Sequence, residues 1–175
     1  MIRFICVEDD ATRGSAARLI REYLDWIQRL AADTYDLAFD IDAMVASDLE
    51  DGSKFYAPHG RFYLALRDDV AVGVGCLKRL PSQAAEIQRM YVQPQCRGTG
   101  IGRLLLERLL ADCREMGFKV ARLESLRFLA SAHALYRSAG FVDVPPYAGS
   151  SMQDYQSDAM LSRYLDSVVF MELRL

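Results

Sequence analysis

Three glycines alternate along Gly98-Thr99-Gly100-Ile101-Gly102, just after a strand-like run that ends at Val92 and just before a stretch with helical apolar spacing. Residues without a Cβ reach backbone conformations closed to other residues and let the main chain approach a neighbour closely. A helix that begins at such a loop leaves its first N–H groups without intrahelical partners and points the positive end of its dipole outward. That combination suits a pyrophosphate. Arg97 and Arg103 flank the glycines and add positive charge locally.

The elements around the loop fix how it is used. Glu86 to Val92 reads as a strand, and Ile101, Leu104, Leu105, Leu109 and Met116 mark an amphipathic helix. Gly117 stops that helix, and Val120 to Leu123 is strand-like again. A strand, crossover helix and parallel strand of this length form a right-handed unit against one sheet. Phe128 to Ala139 is a second helix, closed by Gly140.

Upstream, Ile2 to Val7 reads as a strand, and Leu19, Ile20, Tyr23, Leu24, Ile27, Leu30 and Ala31 recur at helical spacing. A shorter helix falls near Ile41 to Leu49. Arg61 to Arg67 and Val70 to Arg79 form a hairpin about Asp68-Asp69. After Pro145-Pro146, Tyr155, Ala159, Met160, Tyr164 and Leu165 predict a helix over Gln153 to Leu165, whose apolar face covers the acceptor side or a homodimer contact; Val168 to Leu173 is a last strand. No linker or repeat divides the chain, so one α/β domain with a mixed sheet is expected over residues 1–175.

Composition narrows the function classes. With 51% hydrophobic residues the chain can bury a sizeable core, and a net charge of −3 argues against the broad positive field of a nucleic-acid binder. Cys6, Cys76, Cys96 and Cys113 are scattered without a C-x-x-C pair, and only His59 and His133 are available to join them, so no metal site is expected. Reduced thiols, and the acidic Glu8-Asp9-Asp10 directly after the first strand, predict a cytoplasmic protein rather than a secreted one. The longest apolar run, Val70 to Leu77, is far shorter than the ~20 residues of a membrane span.

Two nucleotide-binding motifs test poorly. The Walker loop needs Gly-Lys-Ser/Thr, and Gly102 is followed by Arg103 and Leu104. A dinucleotide fingerprint counted from Gly98 and Gly100 places Arg103 where its third glycine belongs, which weakens an oxidoreductase reading.

Met90-Tyr91-Val92-Gln93-Pro94 leading into Arg97-Gly98-Thr99-Gly100-Ile101-Gly102 resembles the acetyl-coenzyme A signature of the GNAT acetyltransferases, R/Q-x-x-G-x-G/A, with Arg97, Gly100 and Gly102 at the defining positions. Ala132 to Phe141 is similar to the same family's A-x-x-LY-x-x-x-GF segment. Phe128 and Leu129 stand where many members carry Asn, a departure that withdraws one polar contact to coenzyme A. The resemblance implies an α/β (α+β) domain with a mixed, mostly antiparallel central sheet, helices on both faces and a central β-α-β cofactor-binding unit.

It also implies roles. The backbone of Met90, Tyr91 and Val92 would pair with the pantetheine arm, and the loop of Arg97, Gly98, Thr99, Gly100, Ile101, Gly102 and Arg103 would take the pyrophosphate. Tyr136 would donate the proton to the departing thiolate. On chemical grounds Glu86, at the head of the strand, is the candidate base for the amine, and the main-chain N–H of Tyr91 the candidate donor to the thioester carbonyl oxygen. Cys96, His59 and His133 are given no catalytic part.

The expected activity is direct acetyl transfer from acetyl-coenzyme A, as cosubstrate, to a primary amine of a small molecule, peptide or protein, without metal. The alternatives are a non-catalytic coenzyme A-binding regulatory module and, less favoured, a dinucleotide-binding oxidoreductase. Residues 31–53 contain Asp33, Asp36, Asp40, Asp42, Asp48, Glu50 and Asp51 but no Lys or Arg, which predicts an acidic entrance selecting a cationic acceptor.

Overall fold

Asp68 and Asp69 both adopt left-handed backbone, with φ of 50° and 66°. This is the geometry of a two-residue hairpin turn whose twist matches that of its strands. It joins β2 (Arg61–Arg67) to β3 (Val70–Leu80), and β1 (Ile2–Cys6) pairs antiparallel with β2 from outside. The N-terminal amine and Arg3 reach the two aspartates of that turn.

The structure is a computed structural model that describes residues 1–150 and 158–175. Its strands continue with β4 (Ala84–Val92), β5 (Val120–Leu126), β6 (Val142–Val144) and β7 (Val168–Arg174). Among the described residues they form one seven-stranded sheet in the order β1-β2-β3-β4-β5-β7-β6. Every neighbouring pair is antiparallel except β4 and β5. The mixed, mostly antiparallel sheet expected from the resemblance is therefore present. The short edge strand β6 had no periodic signature, because its three residues carry Asp143 at their centre.

Helices cover both faces. α1 (Asp10–Tyr35) starts where the Asp9 carboxylate accepts from the N–H of Thr12 at 2.8 Å, and it ends at Asp36 in left-handed backbone. Its buried stripe, Ala16, Leu19, Ile20 and Leu24, packs with Met44 and Val45 of α2 (Ile41–Glu50) against Phe62, Leu64 and Leu66 of β2. On the other face α3 (Ile101–Glu115) presents Leu105, Leu106, Leu109 and Cys113 to Tyr63, Leu77, Ala85, Ile87 and Ala121. Tyr136 of α4 (Ala130–Ser138) and Phe141 close that core. α5 (Asp158–Ser167) lies on the α1 face, where Tyr164 joins Ile27, Ala31, Leu126 and Phe170. Residues 153–157 of the expected last helix, Tyr155 among them, lie outside the described residues.

The sheet tolerates no side chain at one point beside the site. A Cβ on Gly73 of β3 would lie 2.9 Å from the carbonyl oxygen of Tyr91, a backbone atom that cannot swing away. Gly73→Val should therefore cost about 1–3 kcal/mol of stability by overpacking. Thermal denaturation should show the loss as a fall of about 2–4 °C in Tm per kcal/mol.

Candidate functional site

β4 and β5 pair only from Ala84–Val120 to Glu86–Arg122. Beyond that pair β4 runs to Val92 and β5 to Leu126 without bonding to each other, so a wedge opens in the middle of the sheet. The orientation of its backbone follows from one bond. Gln93 donates its N–H to Val72 of β3 at 2.9 Å. Successive peptide groups in a strand point to opposite sides. The N–H of Tyr91, paired with Val74, thus turns toward β3, while those of Met90 and Val92 face the wedge. The thioester donor expected at Tyr91 falls on the wrong side of the strand, and Met90 has the N–H directed into the gap.

The glycine loop closes the end of this wedge. Gly98 and Gly100 both have left-handed backbone, φ 75° and 87°, and a Cβ on either would meet nothing within 4 Å. The loop therefore turns through conformations that glycine favours and leaves open space beside them. Thr99 steadies it by donating its hydroxyl to the Cys96 carbonyl at 2.7 Å. α3 begins at Ile101 with no side-chain cap, and its first intrahelical bond is donated by Leu104 to Gly100. The N–H groups of Ile101, Gly102 and Arg103 come before that bond and lie at the positive end of the dipole. These features fit a pyrophosphate. Arg103 is tied to α4 through the hydroxyl of Ser138, 3.1 Å away.

Arg97 is folded back across β4. Its Nε donates to the Val92 carbonyl at 3.0 Å, and its guanidinium lies 4.6 Å from the ring centre of Trp26 and 5.7 Å from that of Tyr91. The Tyr91 hydroxyl donates to Glu22 at 2.7 Å, and the Gln93 amide does so at 2.9 Å. α1 is thereby fastened to the strand that leads into the glycine loop.

On the α1 face the wedge opens into a cavity of about 60 Å³. Leu24, Ile27, Phe39 and Leu126 give it apolar walls, and Tyr23, Tyr164, Ser125, Gln88, Arg89 and Glu124 give it polar groups. Glu124 accepts from the Ser150 hydroxyl and lies beside Tyr164. Burial pushes the phenol of Tyr23 up to about 12. Ser125 also meets Nε2 of His133 at 3.1 Å, and His133 has a pKa below the ordinary value because it is buried and has Arg137 nearby.

Tyr136 approaches from the opposite face of the sheet. It is buried against Phe141, with ring centres 6.0 Å apart, and its hydroxyl has no hydrogen-bond partner among the described residues. Burial raises its pKa, and Tyr23 in the cavity wall raises it further.

Glu86 is fully buried on the last paired residue of β4 and acts electrostatically on Tyr147 and Tyr164. It shares the α1 face with Glu124, but it does not border the cavity as Glu124 does. The sequence offered no sign of Glu124, which is one polar residue in a short strand. Its position became meaningful only once β5 was seen to leave β4.

None of the seven acids of residues 31–53 lines the cavity beside Glu124. Asp36 pairs with Arg163 at 2.6 Å and Asp42 with Arg21 at 2.6 Å, while Asp40 caps α2 and Asp51 accepts from Ser53. Asp48 is wholly buried between Lys54 and Arg89, at 2.5 Å from each. Capping and ion pairing account for these five of the seven acids.

The sheet thus opens between its two parallel neighbours, with a helix that starts at a glycine at the open end. The sequence profile of the Acetyltransferase (GNAT) family matches residues 27–141. An uncharacterized N-acetyltransferase of Schizosaccharomyces pombe is 31% identical over 133 residues, 74% of this chain and 76% of that protein. An IAA acetyltransferase of Azospirillum brasilense is 40% identical over 91 residues, 51% of this chain and 60% of that protein. Among solved structures, the PaiA N-acetyltransferase of Thermoplasma acidophilum in complex with coenzyme A superposes with a TM-score of 0.69 at 16% identity, covering 100% of this chain and 99% of that one. The chain belongs to the GNAT family of acetyltransferases. It is an acyltransferase whose cosubstrate is acetyl-coenzyme A.

The two defining glycines differ in what they tolerate. Gly100→Ala places a side chain in left-handed backbone, at about 1–2 kcal/mol, and should weaken coenzyme A binding in calorimetry. A Cβ on Gly102 would meet only Leu135 at 3.7 Å and Val92 at 3.9 Å, ordinary contacts. Gly102→Ala should therefore retain both fold and affinity; equal losses in the two variants would show that the loop is not held by backbone conformation.

Proposed function

We propose that this protein transfers the acetyl group of acetyl-coenzyme A directly to a primary amine bound in the Glu124 cavity. One observation supports this most strongly: the glycine loop, the free edge of β4 and the cavity all border the wedge between β4 and β5. Bound acetyl-coenzyme A supplies the activated acetyl group. The N–H groups of Ile101, Gly102 and Arg103 hold its pyrophosphate, and Met90, Tyr91 and Val92 form the strand edge along which its pantetheine arm lies. The Met90 N–H donates to the acetyl carbonyl oxygen and favours the charge that develops there.

Tyr136 protonates the departing sulfur. Because burial raises its pKa, it keeps its proton as pH rises through the ordinary tyrosine range, so it remains a donor at neutral and mildly alkaline pH. Glu124 receives the amine proton, and Glu86, on the same face one step below the wedge, is the second carboxylate available for relay through water.

The cavity also indicates an acceptor. The Glu124 carboxylate favours a compact amine on an apolar body over an anion, because the Arg89 guanidinium that shares the cavity lining is already paired with Asp48. The four cysteines are free, which accords with the reducing cytoplasm as the place of action.

Thiol release from acetyl-coenzyme A over a panel of cationic, neutral and anionic amines, with mass spectrometry of the products, tests the activity and the acceptor class together. Tyr136→Phe should keep coenzyme A affinity while kcat falls about 10²–10⁴-fold. No alkaline loss of kcat should be assignable to Tyr136 below pH 10, the ordinary tyrosine value. Glu124→Gln should lower kcat/KM for cationic amines most. Coenzyme A binding without thiol release on any amine would instead identify a binding module.

A further inference from the structure

We propose that Asp48 is a positioning residue for acetyl transfer: through Arg89 it holds the one-residue bulge of β4 that turns the Met90 N–H into the wedge. The proposal rests on the reading of the wedge as the meeting place of acetyl donor and amine.

The bulge is visible in both register and side-chain placement. Cys76 of β3 lies opposite Gln88, and Val74 opposite Tyr91, so two steps on β3 match three on β4. Ala85 and Ile87 point into the α3 core, and in a regular strand Tyr91 would follow them there. Instead Tyr91 is buried with α1 and α2, while Met90 packs on the α3 side. A slip of one residue reverses every peptide group beyond it as well. Without the bulge, Met90 would occupy the β3-facing position and the wedge would lose its N–H.

The slip is made at Arg89, whose φ is 54°. Left-handed backbone is unfavourable for a residue with a side chain and persists only where surrounding groups fix it. Here the fixing groups are explicit. Nε of Arg89 lies 2.5 Å from Oδ2 of Asp48, and Nη2 lies 3.3 Å from Oδ1. Lys54 approaches the same carboxylate from the turn after α2, at 2.5 Å. Asp48 is fully buried, and Arg89 and Lys54 nearly so. A buried ion pair is a poor source of stability compared with apolar packing, and its best-attested use is to fix register. Asp48 draws the Arg89 side chain toward α2, and that direction is tied to the left-handed turn of the strand. The helix pair walling the acceptor side therefore sets the backbone that faces the acetyl group.

The test compares Arg89→Gly, Arg89→Ala, Asp48→Asn and the double variant Asp48→Asn/Arg89→Gly, reading kcat, both KM values, coenzyme A affinity by calorimetry and Tm. Glycine accepts φ 54° without a side-chain tie, whereas alanine does not. Misplacing one oxyanion donor should cost at least about tenfold in kcat. Arg89→Ala and Asp48→Asn should show that loss, with coenzyme A affinity retained. Arg89→Gly should lose less than Arg89→Ala, and the double variant should recover kcat relative to Asp48→Asn. Equal kcat in the glycine and alanine variants, with a raised amine KM, would overturn the proposal in favour of direct acceptor contact. A fall in Tm with kcat unchanged would reduce the pair to a stability device and equally overturn it. If either single variant fails to fold, recovery in the double variant still decides. Loss of coenzyme A binding by the unmodified protein would refute the reading of the wedge itself, separately from the role of Asp48.

Discussion

Once β4 and β5 part after the Glu86–Arg122 pair, backbone groups in the middle of a sheet are left without strand partners. Buried peptide groups must find partners elsewhere, and this requirement organises the surrounding structure. The Val92 carbonyl takes the Arg97 side chain. The helix beyond the loop offers N–H groups rather than a side-chain cap. Glu124 lines the cavity on one face of the opening, and Tyr136 is buried in the core on the other face of the sheet. The sheet is held together on both sides of the wedge, by the β2–β3–β4 ladder and by the β5–β7 ladder, so the opening does not depend on a mobile loop.

Much of this was legible in the residues. Helical spacing located α1 and α3, the Asp68-Asp69 turn fixed a hairpin, and the alternating glycines marked the strand-to-helix passage. All are local patterns, written within about ten neighbouring positions. The unforeseen features depend on distance in the fold. Glu124 and Arg89 look like ordinary strand residues until β5 departs and β4 bulges. The acidic run suggested a charged entrance because sequence shows where the carboxylates are, whereas their partners Arg163, Arg21, Lys54 and Arg89 are brought in by folding. At Tyr91 an extra residue in β4 intervenes, which no local pattern announces, and it turns that N–H toward β3.

The bulge also shows how the two halves of the domain are coupled. α2 packs on α1, which forms one wall of the cavity, and α2 also carries the carboxylate that grips β4. On the opposite face, Arg103 and Ser138 link the helix of the glycine loop to the helix of Tyr136. Cavity wall and strand are thus joined on one side, glycine-loop helix and Tyr136 helix on the other, and the sheet lies between them.

Trp26 is the chain's single tryptophan, and Arg97 lies across its ring while holding the Val92 carbonyl. Emission from an indole responds to a cation placed over its face, and no second indole dilutes that response. Withdrawal of the Arg97 side chain from both partners removes that cation from the Trp26 ring. The protein therefore carries an intrinsic optical reporter for the entrance to its glycine loop, readable without a label and without turnover.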